Sequence, residues 1–169
     1  GKTMNFSTTH CHLVQLSFME IKMPFNYNDC MREGLLRKIP PSKDKATQSL
    51  KKAREWLKEA ENSLKGDAFN SSILASYMVM FHAARTILFL DGFREKSHAC
   101  VARYLEEKYV KTGKLDKKWV ELLDHSREIR HDDQYDLSFF STKEEAENAL
   151  KSANDFFTAM ENLFRSILK

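Results

Sequence analysis

Apolar residues recur every three or four positions along most of this 169-residue chain, which is the spacing of helices with one buried face. Residues 71 to 91 are apolar on nearly every side, as is typical of a helix at the centre of a bundle. Two amphipathic helices are predicted over 97 to 111 and 116 to 134, and a last helix begins at Thr142. A further helix over 42 to 64 has one apolar stripe on a lysine- and glutamate-rich background: Ala46, Leu50, Ala53, Leu57, Ala60 and Leu64.

Glycine and proline mark the predicted ends of these helices. Three glycines each follow an apolar-periodic segment, where a helix C-terminus often needs the left-handed conformation: Gly66, Gly92 and Gly113. Pro40 and Pro41 precede Ser42, a good N-cap, and separate the first long helix from a short helix predicted over 28 to 37. Because the loops are short, neighbouring helices should pack antiparallel. The sequence therefore predicts an all-α fold, an up-and-down bundle of four to five antiparallel helices.

The helical pattern predicts one domain over residues 28 to 169, preceded by a poorly specified arm over residues 1 to 27. Polar residues interrupt the longest apolar run, 73 to 90, so we interpret it as a buried helix that falls short of a membrane span. The formal charge of +3 is too mild to indicate nucleic-acid binding by itself.

The three cysteines, Cys11, Cys30 and Cys100, are scattered and lack the spacing of zinc or redox sites. Free thiols in a reducing compartment are therefore expected, and with no apparent secretory signal the prediction is a cytoplasmic protein. Cys11 lies between two histidines, but no second cluster of metal ligands accompanies them. Neither a metal nor a cofactor is expected.

Chemistry-bearing residues are densest between 126 and 136, where arginines, a histidine, carboxylates and a tyrosine follow one another. Arg127 and His131 are four residues apart and share a helix face. A phosphate could bind between His131 and either Arg127 or Arg130, since the guanidinium offers parallel donors and the imidazole moves protons near neutral pH. The alternative is that these groups form ordinary ion pairs at a solvated helix end.

Two further places carry polar groups in unusual settings. His82 and Arg85 lie within the apolar helix, where a charge requires a partner. Either a carboxylate of another helix pairs with Arg85, or Arg85 contributes to a pocket beside the 126 to 136 cluster. Ser97 is a credible N-cap that places His98 at a helix N-terminus, which can hold an anion, although capping alone explains Ser97.

The joint occurrence of four segments, at 53 to 57, 77 to 85, 92 to 98 and 130 to 136, followed by a phenylalanine-rich last helix, resembles the HEPN superfamily (higher eukaryotes and prokaryotes nucleotide-binding). The resemblance covers about residues 29 to 168 and is greatest to small, stand-alone prokaryotic members. It implies an up-and-down bundle that is usually dimeric and often encoded beside a minimal nucleotidyltransferase in toxin–antitoxin pairs.

Active members of that superfamily are metal-independent endoribonucleases. Their motif has an arginine that holds the phosphate, a histidine that moves protons, and often a tyrosine that the nucleotidyltransferase can adenylylate. Arg130 and Tyr135 match the arginine and tyrosine positions. The match is incomplete, because Asp133 stands where the motif has its histidine, and only three residues separate Arg127 from His131.

The resemblance thus implies the HEPN half of a HEPN/nucleotidyltransferase module, expected as a homodimer. Such a module would bind nucleotide, RNA or its partner through a groove formed by these residues: Arg85, His98, Arg130, Asp133 and Tyr135. One alternative is a metal-independent endoribonuclease toxin that uses Arg127, Arg130 and His131. The other is a structural helical dimer without catalytic activity.

Overall fold

A computed structural model describes residues 25 to 136 and 140 to 169 of the chain. Six helices and two short strands occur in these ranges, and a π-helical turn, Glu106–Val110, extends the fourth helix. The elements are α1 (Tyr27–Arg32), β1 (Leu36–Lys38), α2 (Lys43–Lys65), α3 (Phe69–Asp91), β2 (Phe93–Glu95), α4 (His98–Leu105), α5 (Lys117–Tyr135) and α6 (Lys143–Leu168). The all-α prediction is confirmed.

Helix α3 is the centre of the bundle, as its all-round apolar sequence predicts. Its largest buried side chains include Tyr77, Met80 and Leu88. The two other long helices, α2 and α6, pack on it through amphipathic faces that contain several fully buried alanines. Small side chains let helix axes approach closely, while Phe156 of α6 fills the remaining core volume.

The length and composition of α3 are sufficient for a membrane span, contrary to the sequence interpretation that its polar interruptions make it fall short. Of the most apolar 18-residue stretch of this helix, 67% is nevertheless buried against the rest of the protein. A helix whose apolar surface is already covered by other helices has the burial of a core helix. The interpretation of this segment as a buried helix is therefore confirmed.

The N-terminal part of the described chain differs from the helix predicted over 28 to 37. Helix α1 ends at Arg32, and Gly34 then adopts a left-handed conformation with φ +68°. Leu36 enters β1, which pairs antiparallel with β2 so that Leu36 lies opposite Glu95. The predicted helix is confirmed as far as Arg32 and wrong beyond it. The apolar Leu35 and Leu36 fit a helical period, whereas a strand of three residues has too few positions to show alternation.

Cys30 and Cys100 form a disulfide in this structure, so the prediction of free thiols is wrong for these two residues. Helix α1 packs against α4 and brings their Cα atoms to 5.9 Å, within the usual range for a disulfide. Both side chains are completely buried. The sequence could not reveal this pairing, because 70 positions separate the two cysteines and only tertiary packing brings them together. Cys11 lies outside the described residues.

The turn between α3 and β2 depends on Gly92. This residue has φ +86°, and its N–H donates to the last carbonyls of α3, which confirms the predicted glycine C-cap. Its own carbonyl accepts a hydrogen bond from the N–H of Ile39. A Cβ at this position would lie 2.6 Å from the Ile39 carbonyl oxygen, closer than real Cβ contacts allow. Gly66 ends α2 with φ −87°, so the left-handed conformation predicted there is not used.

The end of α3 is also joined to α4 and its π-helical turn. The Asp91 carboxylate accepts hydrogen bonds from the hydroxyls of Tyr104 at 2.7 Å and Tyr109 at 2.5 Å. Burial is the largest effect on both phenols and raises the pKa of each, so both remain protonated donors. These two bonds fix the direction in which α4 leaves the β-strand pair.

We expect Gly92→Ala to destabilise the protein by at least about 2 kcal/mol, because alanine disfavours the left-handed conformation and its Cβ would collide with the Ile39 carbonyl. Urea denaturation followed by circular dichroism measures the effect. Gly66→Ala is the matched control, since that position has ordinary backbone angles and a nearest contact of 3.5 Å. Equal stability of the two variants would contradict the role assigned to Gly92.

Candidate functional site

A cleft of about 430 Å³ lies between the N-terminus of α4 and the C-terminal half of α5. It brings together three predicted site residues from α5 and one from α4, 29 or more positions apart in the sequence: Arg127, Arg130, His131 and His98. Ser97 and Ala99 complete the α4 side, while Glu128 and Asp132 complete the α5 side. We call this feature the α4–α5 cleft.

His98 is held by aromatic side chains of the core helix. Its Nδ1 atom lies 2.8 Å from the hydroxyl of Tyr77, and its ring stacks on Phe81 at a centroid distance of 3.9 Å. Burial, and secondly the nearby charges of Arg130, Arg85 and Arg127, lower the pKa of His98. Burial likewise raises the pKa of Tyr77 to about 12. At neutral pH the cleft thus contains an uncharged imidazole in a fixed orientation.

The two arginines of α5 have different partners. Arg127 Nη2 lies 3.6 Å from Asp124 Oδ1, and the same carboxylate pairs with Arg103 of α4. Asp124 therefore both joins α5 to α4 and partly neutralises Arg127. The guanidinium of Arg130 lies over the ring of Tyr77, 5.4 Å from its centroid. Within the described parts of the chain, Arg130 has no ion pair, so it is the cation best placed to bind an anionic ligand.

The α4–α5 cleft is not strongly cationic, because Glu128 and Asp132 balance the formal charges of its two arginines. Net charge alone therefore gives the cleft little attraction for an anion, and oriented donors would have to supply it. Ser97 occupies the predicted N-cap position, but its side chain makes no capping hydrogen bond. The N–H of Cys100 donates to the Ser97 carbonyl, so the α4 donors left for a ligand are the N–H groups of His98 and Ala99.

Arg85 does not line the α4–α5 cleft and lies behind one of its lining residues, His98. Its Nε atom lies 2.8 Å from Glu95 Oε1, so the predicted carboxylate partner exists but comes from β2 and not from another helix. The guanidinium also lies over the rings of Phe81 and Phe89. Since Phe81 stacks on His98, Arg85 belongs to the packing that holds the imidazole.

The remaining predicted site residues lie at or beyond the rim of the cleft. Tyr135 is 63% exposed, and its ring centroid is 4.9 Å from that of His131. Asp133 belongs to α5, but its side chain is outside what the structure describes. His131 lines the cleft from the exposed side of α5, whereas His98, on α4, is half-buried.

Sequence reasoning missed the residues that hold the cleft together, chiefly Tyr77, Phe81 and Asp124. Tyr77 and Phe81 match the core spacing of α3, and nothing in that pattern distinguishes a tyrosine that binds His98 from one that only packs. Asp124 resembles any charged residue on a helix surface. Its position between Arg103 and Arg127 becomes apparent only when α4 and α5 are placed side by side.

No group of three or more histidine, cysteine, aspartate or glutamate side chains is arranged to hold a metal ion within residues 25 to 136 and 140 to 169. The α4–α5 cleft presents arginine, imidazole and backbone N–H donors, which suit an anion better than a cation. The pair of histidines around Cys11 lies outside the described residues.

Comparison with known proteins gives a match to the HEPN domain over residues 46–163. The chain is 25% identical over 122 residues to the candidate toxin MJ0142 of Methanocaldococcus jannaschii, covering 71% of this chain and 83% of that protein. It is also 25% identical over 117 residues to a UPF0332 protein of Thermotoga maritima, covering 69% and 89% of the two chains. A UPF0332 protein of Pyrococcus horikoshii, PH1297, is 30% identical over 84 residues, which cover 50% of this chain and 59% of that one.

The fold and the site define a class of protein. It is a helical bundle built on one buried central helix, with a polar cleft beside its fifth helix. The family match extends over more than half of the sequence, from the start of α2 almost to the end of α6. The chain belongs to the HEPN family, and the resemblance seen in the sequence is confirmed.

Stability should fall as the pH is lowered from about 6.5 to about 4, because burial and the neighbouring Arg85 lower the pKa of His82 to about 4. The imidazole of the unfolded chain takes up its proton near pH 6.5, whereas that of the folded protein does so only near pH 4. The contribution of His82 to the free energy of unfolding is therefore constant above about pH 6.5, declines as the pH is lowered from there, and levels off below about pH 4. The lowered pKa of His98 acts in the same direction. Urea midpoints measured from pH 7.5 to 4 test this, and His82→Gln should flatten the profile. An unchanged profile in that variant would contradict it.

Proposed function

We propose that this HEPN protein is a toxin-type module that binds a phosphate group of RNA or of a nucleotide in the α4–α5 cleft. The observation that carries the proposal is the convergence of Arg130, the imidazole of His98 and the N-terminus of α4 on one cavity. A guanidinium donates parallel hydrogen bonds to phosphate oxygens, and a helix N-terminus adds N–H donors. The name of the relative from Methanocaldococcus jannaschii supports the toxin class.

The size and charge of the cleft limit the kinds of ligand that would fit it. A volume of about 430 Å³ falls in the usual range of small-ligand sites, so one nucleotide is a suitable occupant. Because Glu128 and Asp132 offset the two arginines, a long polyanion would gain little from simple charge attraction. Binding should therefore depend weakly on salt. A plot of the logarithm of the binding constant against the logarithm of the salt concentration should have the slope expected for roughly one contacted phosphate.

Replacing Arg130 by alanine should weaken nucleotide or RNA binding about tenfold, because a charge-assisted hydrogen bond to phosphate contributes roughly 1.5 kcal/mol. Arg130→Lys should recover part of the affinity, since lysine keeps the charge but loses the fork. Calorimetry with AMP and ATP, and fluorescence anisotropy with a labelled single-stranded RNA, measure the effect at two salt concentrations.

Arg165→Ala is the matched control, because Arg165 is an exposed arginine of α6 that pairs with Glu161 and does not line the cleft. Circular dichroism establishes that each variant is folded. The proposal fails if neither nucleotide nor RNA binds, or if Arg130→Ala and Arg165→Ala bind equally well. Failure to bind in a folded dimer would favour the structural alternative.

The proposal includes two protein partners: a second copy of the chain, and a minimal nucleotidyltransferase. Tyr135 supports the second, because 63% of it is exposed beside His131 and a modifying enzyme could reach its hydroxyl. The HEPN resemblance implies the same partner and a dimer in which the cleft faces of two copies lie close together.

Incubation with ATP and a minimal nucleotidyltransferase, taken from the neighbouring gene where one is encoded there, should add the mass of an adenylyl group to the protein, as measured by mass spectrometry. Tyr135→Phe should abolish the addition, whereas Tyr27→Phe, at a half-buried tyrosine of α1, should not. Modification of both variants to the same extent would exclude Tyr135 as the modified residue.

Metal-independent cleavage of RNA is a second candidate function, and the fixed imidazole of His98 beside Arg130 favours it. In the tautomer whose Nδ1–H donates to the Tyr77 oxygen, Nε2 can accept the proton of a ribose 2′-hydroxyl. The 2′-oxygen then forms a bond to phosphorus, the bond to the 5′-oxygen breaks, and that oxygen takes a proton from His131 or water. The lowered pKa of His98 keeps the accepting form present at neutral pH.

If the protein cleaves RNA, His98→Gln should lower the rate about 100-fold, the usual contribution of a general base. His131→Ala measures the contribution of the exposed imidazole separately. Cleavage in the presence of EDTA, with products carrying a 2′,3′-cyclic phosphate, identifies the reaction. Equal rates for the wild type and both variants would exclude this reaction from the α4–α5 cleft.

A further inference from the structure

A second cavity, of about 210 Å³, lies on another side of α5, where α3, α5 and α6 meet. Trp119 of α5 packs edge-on against Phe156 of α6, and the two helices leave a groove between them farther along α5. Four buried residues of α3 form its floor: Ile73, Ser76, Tyr77 and Met80. Leu122 and Ile129 of α5 and Ala149 of α6 form apolar walls. We call this feature the α5–α6 groove.

Ser76 is the unusual residue of this groove. It is only 2% exposed, yet its Oγ atom has no hydrogen-bond partner in the part of the chain that the structure describes. Two other buried serines do have partners, since Ser72 donates to the carbonyl of Ala60 and Ser49 to that of His82. A buried hydroxyl without a partner is unfavourable, so Ser76 marks a place where a polar atom of a ligand would be stabilised.

The rim of the groove is polar and carries a negative charge. His125, Glu145 and Asn148 are exposed and line the opening. Glu145 has no ion pair among the described residues, whereas Glu147, two residues nearer the centre of α6, lies 4.0 Å from Lys143. A basic group on an incoming ligand would find its complement at Glu145.

The dimensions favour a protein side chain over a complete small molecule. A volume of about 210 Å³ is below the usual range of roughly 300 to 1,000 Å³ for small-ligand sites. It suits one large side chain, and protein interfaces concentrate binding energy in aromatic anchors that fill such pockets. Tyrosine and tryptophan combine an apolar ring with one hydrogen-bond donor, which matches a groove whose floor holds one buried hydroxyl without a partner, that of Ser76. The two other serines that line the groove, Ser126 of α5 and Ser152 of α6, are more exposed.

We propose that the α5–α6 groove binds a segment of a protein partner that inserts one tyrosine or tryptophan side chain. The phenol O–H or indole N–H donates to the Ser76 hydroxyl, and a lysine or arginine next to the anchor pairs with Glu145. This interaction goes beyond the proposed phosphate binding and does not depend on it. The groove and the α4–α5 cleft lie on different sides of α5, although Tyr77 lines the groove and also contacts His98 and Arg130 of the cleft.

Three acetylated dipeptide amides test the proposal on the full chain: Trp-Lys, Phe-Lys and Trp-Glu. Binding is followed by NMR through the methyl signals of Ile73, Ile129 and Ala149. Trp-Lys should bind at least about fivefold more tightly than either of the others, because Phe lacks the donor and Glu repels Glu145. The proposal would be overturned if Trp-Lys shifts none of the three methyl signals, or if the three dipeptides bind with equal affinity.

Two variants separate the contacts. Ser76→Ala should remove the preference for Trp over Phe, and Glu145→Gln should remove the preference for Lys over Glu, while Glu147→Gln is the matched control. Ser76→Ala should also raise the melting temperature by about 2 to 4 °C, because it removes an unpaired buried hydroxyl. A general loss of structure would lower the melting temperature instead. Retention of both preferences in these variants overturns the assignment of the groove.

Self-association is the remaining outcome to distinguish. Sedimentation velocity of the wild type and of Ala149→Phe, whose new ring fills the groove, shows whether a second copy occupies it. If Ala149→Phe dissociates a dimer, the groove belongs to an interface between copies, and the proposal of a different partner is wrong. An unchanged sedimentation coefficient supports the proposal.

Discussion

The fold depends on the burial of α3 on nearly all sides. A helix so apolar must be covered completely, and α2 and α6 cover most of it with small residues that allow close packing. The few polar groups of α3 then need partners from the rest of the chain. Arg85 pairs with Glu95, Asp91 accepts from two tyrosines, and Tyr77 bonds to His98. These partners belong to β2, to α4 and to the turn after it, so the requirements of one buried helix determine the position of one wall of the α4–α5 cleft.

The site is consequently a product of tertiary structure more than of local sequence. The arginines come from α5, the oriented imidazole comes from α4, and the aromatic surface that holds this imidazole comes from α3. Asp124 couples the two walls by pairing with an arginine on each. The proposed binding of an anion would therefore need little net positive charge, since packing already fixes the donors and little entropy would be lost on binding.

Amphipathic stripes and capping residues were sufficient to predict the long helices and the central position of α3, whereas the family was predicted from the resemblance of four segments to HEPN proteins. The β-strand pair, the disulfide and the contact of His98 with Tyr77 could not be predicted, because each joins residues far apart in sequence. The helical spacing from Arg127 directed attention to His131, which lies on α5 beside the arginines. His98 was recognised only as a residue at a helix N-terminus, and its second contact, on the core helix, has no signature in the pattern of apolar residues. Partners, dimerisation and a cytoplasmic location stay predictions.

The disulfide between Cys30 and Cys100 has a topological consequence. It closes a covalent ring that contains α2, the entire core helix α3 and both strands, while α5 and α6 lie outside it. The exposed turn at Gly66 and Asp67, between α2 and α3, is inside this ring. A protease that cuts the turn would therefore leave two pieces that stay attached to each other. On a denaturing gel without reductant, the nicked protein would migrate as one molecule. Added reductant would release the piece that carries His98, Arg127 and Arg130.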